Sequence, residues 1–234
     1  MCGQKNGEGQ DAMGENEMIA TDRPDEAPPR KASRETRREQ LIEATLQVIA
    51  ERGFARTTLT DVARSAGLSH GLVNFHFQTK ERLFSETLGY LSQEYLLNWQ
   101  SALDAAGDDP VCQLDALLRA DFNAAICTPS RLAAWCAFWA EASSRPLYQQ
   151  QCGPNDLRYG LIQQAICSKV IAQGGYDLRA DRVARILRVT SEGVWIDMMT
   201  LVEPYSRQEA LATLFTCAAS FFPRQFTASG MIGR

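Results

Sequence analysis

The segment from Thr58 to Phe77 constrains the fold more than any other part of this chain, because it predicts two short helices joined by a tight turn. Thr58 and Asp61 have the spacing of a capping box, in which side chains bind free amides of the first helical turn. Gly67 predicts the end of that helix, since glycine adopts the left-handed conformation at little cost. Ser69 can then cap the second helix.

The second helix of this segment has an apolar inner side and an unusual outer side. Leu68 and Leu72 can pack inward, whereas His70, Gly71 and Asn74 are small or polar. A helix-turn-helix has this organisation, and the N-terminal residues of its second helix reach base edges in the major groove of DNA. An αα-hairpin inside an ordinary helical bundle would pack in the same way, so the flanking sequence has to distinguish the two.

Charge is distributed unevenly along the chain, whose net charge is −4. Residues 1–29 carry 2 basic and 7 acidic side chains, residues 30–82 carry 10 and 6, and the remainder carries 12 and 15. The excess of positive charge therefore falls on the two-helix segment, as expected for one face of a nucleic-acid-binding protein. A solvated charged surface could produce the same excess.

A basic cluster precedes the first predicted helix and includes Arg34, Arg37 and Arg38. Basic side chains at a helix N-terminus oppose the helix dipole, so local stability does not favour them there. Phosphate groups are the expected partners. Lys80, at the start of a later and longer helix, lies where it could contact a phosphate beside the second helix of the motif.

Residues 34–88 resemble the N-terminal domain of the TetR family of bacterial one-component repressors. The resemblance rests on the helix spacing, the glycines, the cap at Thr58, the pair His76 and Phe77, and Lys80. It implies an all-α protein, with an N-terminal three-helix helix-turn-helix DNA-binding domain and a C-terminal helical ligand-binding and dimerisation domain. Asn74 departs from the family pattern, which usually has Tyr there; Asn can bond adenine through two hydrogen bonds, which would allow a different operator preference.

The predicted DNA contacts follow from the charge pattern and from this resemblance. Basic side chains would position the protein on phosphates, and early residues of the second helix would meet base edges, with Phe75 and His76 supporting that helix or touching the DNA backbone. The full predicted set is Arg34, Arg37, Arg38, Thr58, Ser69, His70, Gly71, Asn74, Phe75, His76 and Lys80.

The second half of the chain is helical by pattern, with Pro and Gly marking the ends of helices and no strand signal. We expect four regions. They are a disordered acidic tail at 1–29, the helix-turn-helix domain at 30–80, a helical effector-binding and dimerisation domain at 81–223, and a frayed tail at 224–234.

Two segments of this half resemble a TetR subgroup, the choline-responsive BetI-type repressors of the glycine-betaine pathway: AAWCAFWAEASSRPLYQ at 133–149 and GVW at 193–195. Aromatic faces and a nearby carboxylate recognise a quaternary ammonium. Aromatic residues at helical spacing also commonly fill a core, and Glu192 could instead pair with Arg188, so both interpretations stay open. The predicted ligand-binding residues are Trp99, Phe122, Trp135, Trp139, Glu192 and Trp195.

The last two helices are more apolar than the surface of a monomer needs. Two helices from each subunit could form a four-helix bundle at a two-fold axis, and the dimer would read half-sites of a palindromic operator about 34–36 Å apart. The same apolar faces could instead serve the core of one subunit. The residues concerned are Ile186, Val189, Trp195, Met199, Leu211, Leu214, Phe215 and Phe222.

Several classes of protein find no support in the sequence. The 7 cysteines include no CxxC pair and only 2 histidines are present, so we expect no metal or other cofactor. There is no Gly-rich phosphate loop and no nucleophile with an adjacent base, which argues against an enzyme. No signal peptide and no apolar run of membrane-spanning length is apparent, so we expect a cytoplasmic protein without a membrane partner.

The sequence therefore predicts a dimeric DNA-binding transcriptional repressor that a small-molecule effector releases from its operator. The resemblance points to choline or a related quaternary amine as effector and to osmoprotectant (glycine betaine) genes as targets. The alternative is a TetR-type regulator, either repressor or activator, that responds to an unrelated small apolar or aromatic metabolite.

Overall fold

The computed structural model describes residues 34–140 and 145–233, so the predicted tail at 1–29 lies outside the described residues. Ten helices and a short hairpin make up these ranges. The helices are α1 (Arg34–Arg52), α2 (Leu59–Ser65), α3 (His70–Phe77), α4 (Lys80–Ala106), α5 (Pro110–Ala120), α6 (Pro129–Ala140), α7 (Arg145–Gln151), α8 (Gly153–Gly174), α9 (Ala180–Thr200) and α10 (Arg207–Phe221). The strands are β1 (Phe226–Thr227) and β2 (Gly230–Met231).

Local capping fixes the ends of α2 and α3, which with α1 form the head of the molecule. The amide of Asp61 donates to the Thr58 hydroxyl oxygen (3.2 Å), and that hydroxyl donates to the Asp61 carboxylate (2.6 Å). Gly67 has a positive φ of 65°, and the Ser69 side chain accepts from the amide of Leu72 (3.3 Å). The predicted capping box, glycine stop and serine cap are therefore confirmed.

The core of the head lies between the inner faces of its three helices. The apolar side chains of α1 that repeat at helical spacing are buried, as are Val62 of α2 and Val73 and Phe77 of α3. Since this packing uses the inner side of α3, its other side is left facing outward.

An ion-pair cluster joins the head to the body, which comprises α4 to α10 and the hairpin. Arg131 of α6 donates two hydrogen bonds to the Glu94 carboxylate on α4 (both 2.7 Å) and one to Glu43 on α1 (2.8 Å). The Tyr90 hydroxyl donates to the same Glu43 (3.0 Å). Bidentate Arg–carboxylate geometry is specific, so this cluster fixes α6 relative to both α1 and α4.

The body is a set of helices packed in layers, with α5 against both α4 and α8, and α9 between α8 and α10. Asp109 caps α5 by accepting from the amides of Val111 and Cys112, and Pro110 occupies the first helical position, where its missing N–H is harmless. Large apolar side chains, among them Trp99, Phe215 and Phe222, fill the interior.

The C-terminal tail is ordered, so the expectation of a frayed tail at 224–234 is wrong for its described residues. β1 pairs antiparallel with β2. Phe226 is only 1% exposed, and its ring contacts those of Phe215 (centroids 6.2 Å apart) and Phe222 (6.5 Å). Burial of this one aromatic side chain after Pro223 anchors the segment, and it also explains the strands that the sequence pattern did not indicate.

The predicted dimer residues divide into two groups. Trp195, Leu214, Phe215 and Phe222 are buried within their own chain, so they serve the core of the subunit rather than a surface. Helical spacing alone does not say which apolar face points inward. For these four positions the alternative stated above, that they serve the core of one subunit, describes the structure. Of the remaining predicted residues, Ile186 and Val189 are exposed on α9, and Met199 and Leu211 are partly buried. Other exposed large apolar side chains on α8 and α9 are Leu157, Leu161 and Ile196.

Within the described ranges, no helix combines the length and apolarity needed to cross a membrane. The same ranges contain no group of three or more His, Cys, Asp or Glu side chains arranged to hold a metal ion. Their cysteines are free thiols.

Candidate functional site

The outward face of α3 presents the side chains predicted to meet DNA bases. Ser69, His70, Gly71 and Asn74 are all exposed, and Phe75 is 63% exposed. The Ser69 side chain also caps α3, and Nδ1 of His70 lies 3.4 Å from the Thr60 hydroxyl. This surface is therefore open and polar, and it stands at the N-terminal end of a helix.

The basic side chains predicted to bind phosphates differ in the partners that they already have within the protein. The Arg34 guanidinium lies over the Phe75 ring, 5.4 Å from its centroid, and Arg37 donates to the Gln40 side chain (2.8 Å). Arg38 forms ion pairs with Glu86 (2.7 Å) and Glu35 (3.2 Å). The partners of Arg34 and Arg37 described here are neutral, whereas those of Arg38 are carboxylates. Arg34 and Arg37 are therefore more available than Arg38 to bind an anion such as a phosphate.

Lys80 and Thr58 have structural partners in addition to their predicted roles. The Lys80 ammonium donates to the backbone carbonyl of Ala55 (3.0 Å) and lies 5.1 Å from the centre of the Phe84 ring. The Thr58 hydroxyl is engaged in the capping box of α2. A phosphate contact by either side chain would compete with these hydrogen bonds.

His76 is almost fully buried, which favours the first of its two predicted roles, support of α3, over contact with the DNA backbone. It is 8% exposed, and its ring packs between those of Phe75 and Phe77. Burial lowers the pKa of His76 because it disfavours the charged imidazolium, and the Arg34 and Arg38 guanidinium groups add to this effect. His76 therefore supports α3 from inside as a neutral ring.

A cavity of about 430 Å³ lies among α4, α6, α7, α8 and α9. Four of the predicted ligand residues line it: Trp135, Trp139, Trp195 and Glu192. The ring of Trp139 stacks on that of Trp195 (centroids 6.4 Å apart, planes inclined by 11°) and on that of Trp135 (6.0 Å, 29°). We call these three residues the tryptophan stack.

Tyrosine side chains complete the aromatic wall, and sequence reasoning did not assign them to it. Tyr95 contacts both Trp135 (6.5 Å between centroids) and Trp195 (5.9 Å), and Tyr148 contacts Trp135 (6.3 Å). Tyr159 lies against Tyr95 (5.8 Å). The nearest sequence signal was Tyr148, within the segment that resembles the BetI-type proteins.

Trp99 and Phe122 do not line this cavity, so their prediction as ligand residues is wrong. Trp99 is 1% exposed in the core, where its ring contacts Tyr159 and the Arg158 guanidinium lies over it. Phe122 is buried in the turn after α5. Trp99 follows Tyr95 by one helical turn on α4, and the wall of the cavity ends at Tyr95.

A buried carboxylate, Asp121, lies at the aromatic wall. It accepts from the hydroxyls of Tyr95 (2.7 Å) and Ser191 (2.6 Å), and its backbone carbonyl accepts from the Trp195 indole N–H (3.1 Å). Burial raises the pKa of Asp121 to about 6, although the two hydroxyl bonds favour the charged form. Asp121 thus holds two aromatic side chains in place and is ionised at neutral pH.

Glu192, the carboxylate chosen from the sequence, has a different environment. It pairs with Arg188 one helical turn earlier on α9, and both side chains are partly exposed. Asp156 also lines the cavity, and it accepts from the Tyr148 hydroxyl (3.0 Å). Since the charge of Glu192 is already balanced, Asp121 is the stronger candidate for the anion that a bound cation would meet.

Comparisons with known proteins agree with this architecture. Residues 41–87 match the tetR family of bacterial regulatory proteins, and residues 110–223 match the C-terminal domain of the BetI-type transcriptional repressor. The HTH-type transcriptional regulator BetI of Paraburkholderia xenovorans is 31% identical over 185 residues, which cover 79% of this chain and 93% of that protein.

Solved structures show the same fold. A transcriptional regulator from Pseudomonas aeruginosa has a TM-score of 0.69 at 23% identity, covering 82% of this chain and 93% of that one. A transcriptional regulator from Saccharomonospora viridis, crystallised in complex with choline, has a TM-score of 0.68 at 20% identity, covering 82% and 98%.

These likenesses confirm the predicted all-α class with an N-terminal helix-turn-helix, and the relatives are regulators rather than enzymes, as the sequence predicted. The chain belongs to the TetR family of bacterial regulatory proteins and carries the C-terminal domain of BetI-type transcriptional repressors.

Proposed function

We propose that this protein is a homodimeric repressor that binds a palindromic operator through α3 and is released when a quaternary ammonium, choline or a close relative, enters the cavity. The observation that carries the proposal is the tryptophan stack beside the buried carboxylate of Asp121. The osmoprotectant genes proposed as targets are inferred from the resemblance to BetI regulators.

The cavity suits a cation that cannot donate a hydrogen bond from its charged nitrogen. A quaternary ammonium is attracted to the faces of aromatic rings, and the attraction is stronger when both partners are desolvated. Trp and Tyr rings form much of the wall, and Asp121 supplies a negative charge in a medium of low dielectric. A neutral apolar metabolite would supply no positive charge to Asp121, whose described partners are two neutral hydroxyls.

DNA recognition is proposed to divide between two kinds of side chain. Arg34 and Arg37 would bind phosphates and position the head, because their guanidinium groups bond no carboxylate in the contacts described above. His70 and Asn74 would read base edges from the exposed face of α3. Phe75, 63% exposed on the same helix, would pack against the sugar–phosphate backbone.

The dimer is proposed to form through the last two helices, α9 and α10, as the sequence predicted. Exposed apolar side chains of α9, namely Ile186, Val189 and Ile196, provide part of the surface. Pairing across a two-fold axis would place the same patch of each subunit against its copy. The two α3 helices could then contact successive major grooves, about 34–36 Å apart.

Arg131 is proposed to carry the signal from the cavity to the head. It precedes Trp135 by one turn on α6, and it bonds both Glu94 on α4 and Glu43 on α1. A shift of α6 upon ligand binding would therefore move a hydrogen-bond partner of α1. For release to follow, the ligand must bind the shifted state more tightly than the DNA-binding state.

The test is a mobility-shift experiment with the DNA upstream of the protein's own gene, with and without choline. We expect a specific complex that choline dissociates. If choline leaves the complex intact while an unrelated metabolite dissociates it, the cation-binding part of the proposal is wrong and the regulator part stands. If the protein does not bind this DNA in preference to unrelated DNA, the expectation of an operator upstream of its own gene is wrong.

A further inference from the structure

Gln163 of α8 lines the cavity and is only 1% exposed. Neither the nitrogen nor the oxygen of its side-chain amide has a hydrogen-bond partner among the described residues. A buried polar group without a hydrogen-bond partner destabilises the folded state, so native proteins contain few of them. An amide that bonds no protein group in the described ranges is available to bond a ligand in the cavity.

Other amides of the same region are satisfied by protein groups. Asn155 on α8 donates to the Ser92 hydroxyl on α4 (2.7 Å), and Gln151 on α7 donates to the Ser85 hydroxyl (3.0 Å). These two amides hold α7 and α8 against α4. Gln163 makes no such bond in the described part of the chain, so its amide holds no neighbouring helix in place.

The position of Gln163 places its amide beside the aromatic wall. It follows Tyr159 by four residues on α8, so the two side chains share a helix face. The Tyr159 ring contacts that of Tyr95, which in turn contacts Trp195 and bonds Asp121. A ligand whose cationic group meets the tryptophan stack and Asp121 can therefore present a second group to Gln163.

We infer that Gln163 is a specificity-determining residue that hydrogen-bonds the hydroxyl group of the effector, so that the cavity selects amino alcohols of the choline type over alkylammonium ions of the same size. The inference rests on the proposed function, because it assumes a quaternary ammonium in the cavity. An amide offers both donors and an acceptor, and a hydroxyl can use both.

The charges around the cavity favour a hydroxyl over a carboxylate as the second group. Acidic side chains outnumber basic ones on its lining, and one of the basic residues, Arg188, is already paired with Glu192. A carboxylate would also meet the buried negative charge of Asp121. The charged lining residues are Asp121, Asp156, Asp181, Glu192, Arg185 and Arg188.

Isothermal titration with three ligands tests this inference: choline, propyltrimethylammonium, in which a methyl group replaces the hydroxyl, and glycine betaine, which carries a carboxylate. We expect the wild-type protein to bind choline about tenfold more tightly than either of the others, because a site built to bond a hydroxyl rejects analogues that lack it. Gln163→Met should bind choline and propyltrimethylammonium with affinities within about twofold. Gln173→Met, the same change at an exposed position of α8, should keep the tenfold preference.

Thermal unfolding of the ligand-free proteins separates a role in recognition from a role in folding. Gln163→Met should have an unchanged or higher Tm, because the change removes two buried atoms that have no partner among the described residues. A lower Tm would indicate that Gln163 has a structural role and would overturn the inference.

The binding outcomes distinguish this inference from the proposed function. If the wild-type protein binds choline and propyltrimethylammonium equally, or if Gln163→Met keeps the preference, the inference is wrong and a quaternary ammonium remains the effector. Tighter binding of glycine betaine than of choline would also overturn it. If none of the three ligands binds the wild-type protein, both the effector class and the inference are overturned.

Discussion

The head and the cavity differ in how far apart in the sequence their essential contacts lie. The caps that shape α2 and α3 join residues three positions apart, such as Thr58 with Asp61. The cavity depends on Asp121, which bonds Ser191 and Trp195, and these lie 70 and 74 positions further along the chain. A surface that reads DNA needs helices that present side chains outward, whereas a ligand cavity needs polar groups buried at some cost to stability.

The difference also appears in the state of the polar groups. A cap side chain accepts from one backbone amide at the start of each of α2 and α3, and the outer face of α3 is exposed. In the cavity, Asp121 has a raised pKa and Gln163 has no hydrogen-bond partner among the described residues. Perturbed buried groups of this kind mark functional sites. In the body they include a buried carboxylate at the cavity, whereas the buried His76 of the head is a neutral ring that supports α3.

The largest effect is expected from Asp121→Asn, which should weaken choline binding about 100-fold, because removal of one member of a buried charge pair costs several kcal/mol. The amide can keep the bonds to Tyr95 and Ser191, since the Ser191 hydroxyl can accept as well as donate. Isothermal titration measures the loss. Operator affinity without effector should stay unchanged, and an equal loss with Asp108→Asn, at an exposed position of the body, would contradict the assignment.

Acidification should weaken choline binding about tenfold between pH 7 and pH 5, because protonation of Asp121, whose pKa is raised to about 6, removes the negative charge. Stability of the ligand-free protein should change in the opposite direction. Burial favours the protonated form, so the contribution of Asp121 to stability is present at low pH and is lost as the pH rises through about 4 to 6.

Titrations at the two pH values, together with Asp121→Asn, check this prediction. The variant should bind choline weakly and with little dependence on pH. Wild-type affinity that does not change between the two pH values would show that Asp121 does not provide the charge. Two hydroxyl groups hydrogen-bond Asp121, and three further titratable groups interact with it electrostatically. The hydroxyls are those of Tyr95 and Ser191, and the other groups are Tyr159, Glu192 and Cys127.

In the head, Asn74→Ala should reduce discrimination at one base pair of the operator by about tenfold, because Asn can bond a base through two hydrogen bonds. Arg37→Ala is the matched comparison. It should weaken binding to all sequences alike and reduce the slope of affinity against salt by about one phosphate contact. Fluorescence anisotropy with single-base operator variants measures both, and a uniform loss for Asn74→Ala would contradict its role in base recognition.

Arg131→Met should weaken the coupling between the cavity and the head. We expect choline to reduce the operator affinity of this variant by a factor about fivefold smaller than in the wild-type protein. The change removes the bonds from α6 to Glu43 and Glu94 without touching the cavity wall. Choline affinity of the free protein should stay within about twofold. Arg119→Met, which removes an ion pair within α5, should leave the response to choline intact.

The sequence predicted the contacts between residues that are close together in the chain, and it did not predict the contacts between distant ones. The caps of α2 and α3 and the pairing of Trp135 with Trp139 come from residues within one helical turn, so their spacing predicts them. Trp99 was misassigned because helical spacing does not distinguish a side chain that packs in the core from one that lines a cavity.

Asp121 and Gln163 were missed for a different reason. Asp121 follows α5, and it reaches the cavity because α5 and α9 both pack against α8. Its partners Ser191 and Trp195 lie 70 and 74 positions further along the chain. The burial of Gln163 depends on how α8 is rotated against its neighbours. The hairpin that contains Phe226 was missed because two-residue strands have no periodicity to detect.

The most direct test of coupling between the cavity and the head is to measure the affinity of choline for the wild-type protein with and without saturating operator DNA. We predict that operator weakens choline binding by a factor of about 5–150, and that choline weakens operator binding by the same factor, since coupling between two sites is reciprocal. Equal affinity of choline for the free and the DNA-bound protein would contradict the account, because the cavity would then not control the head.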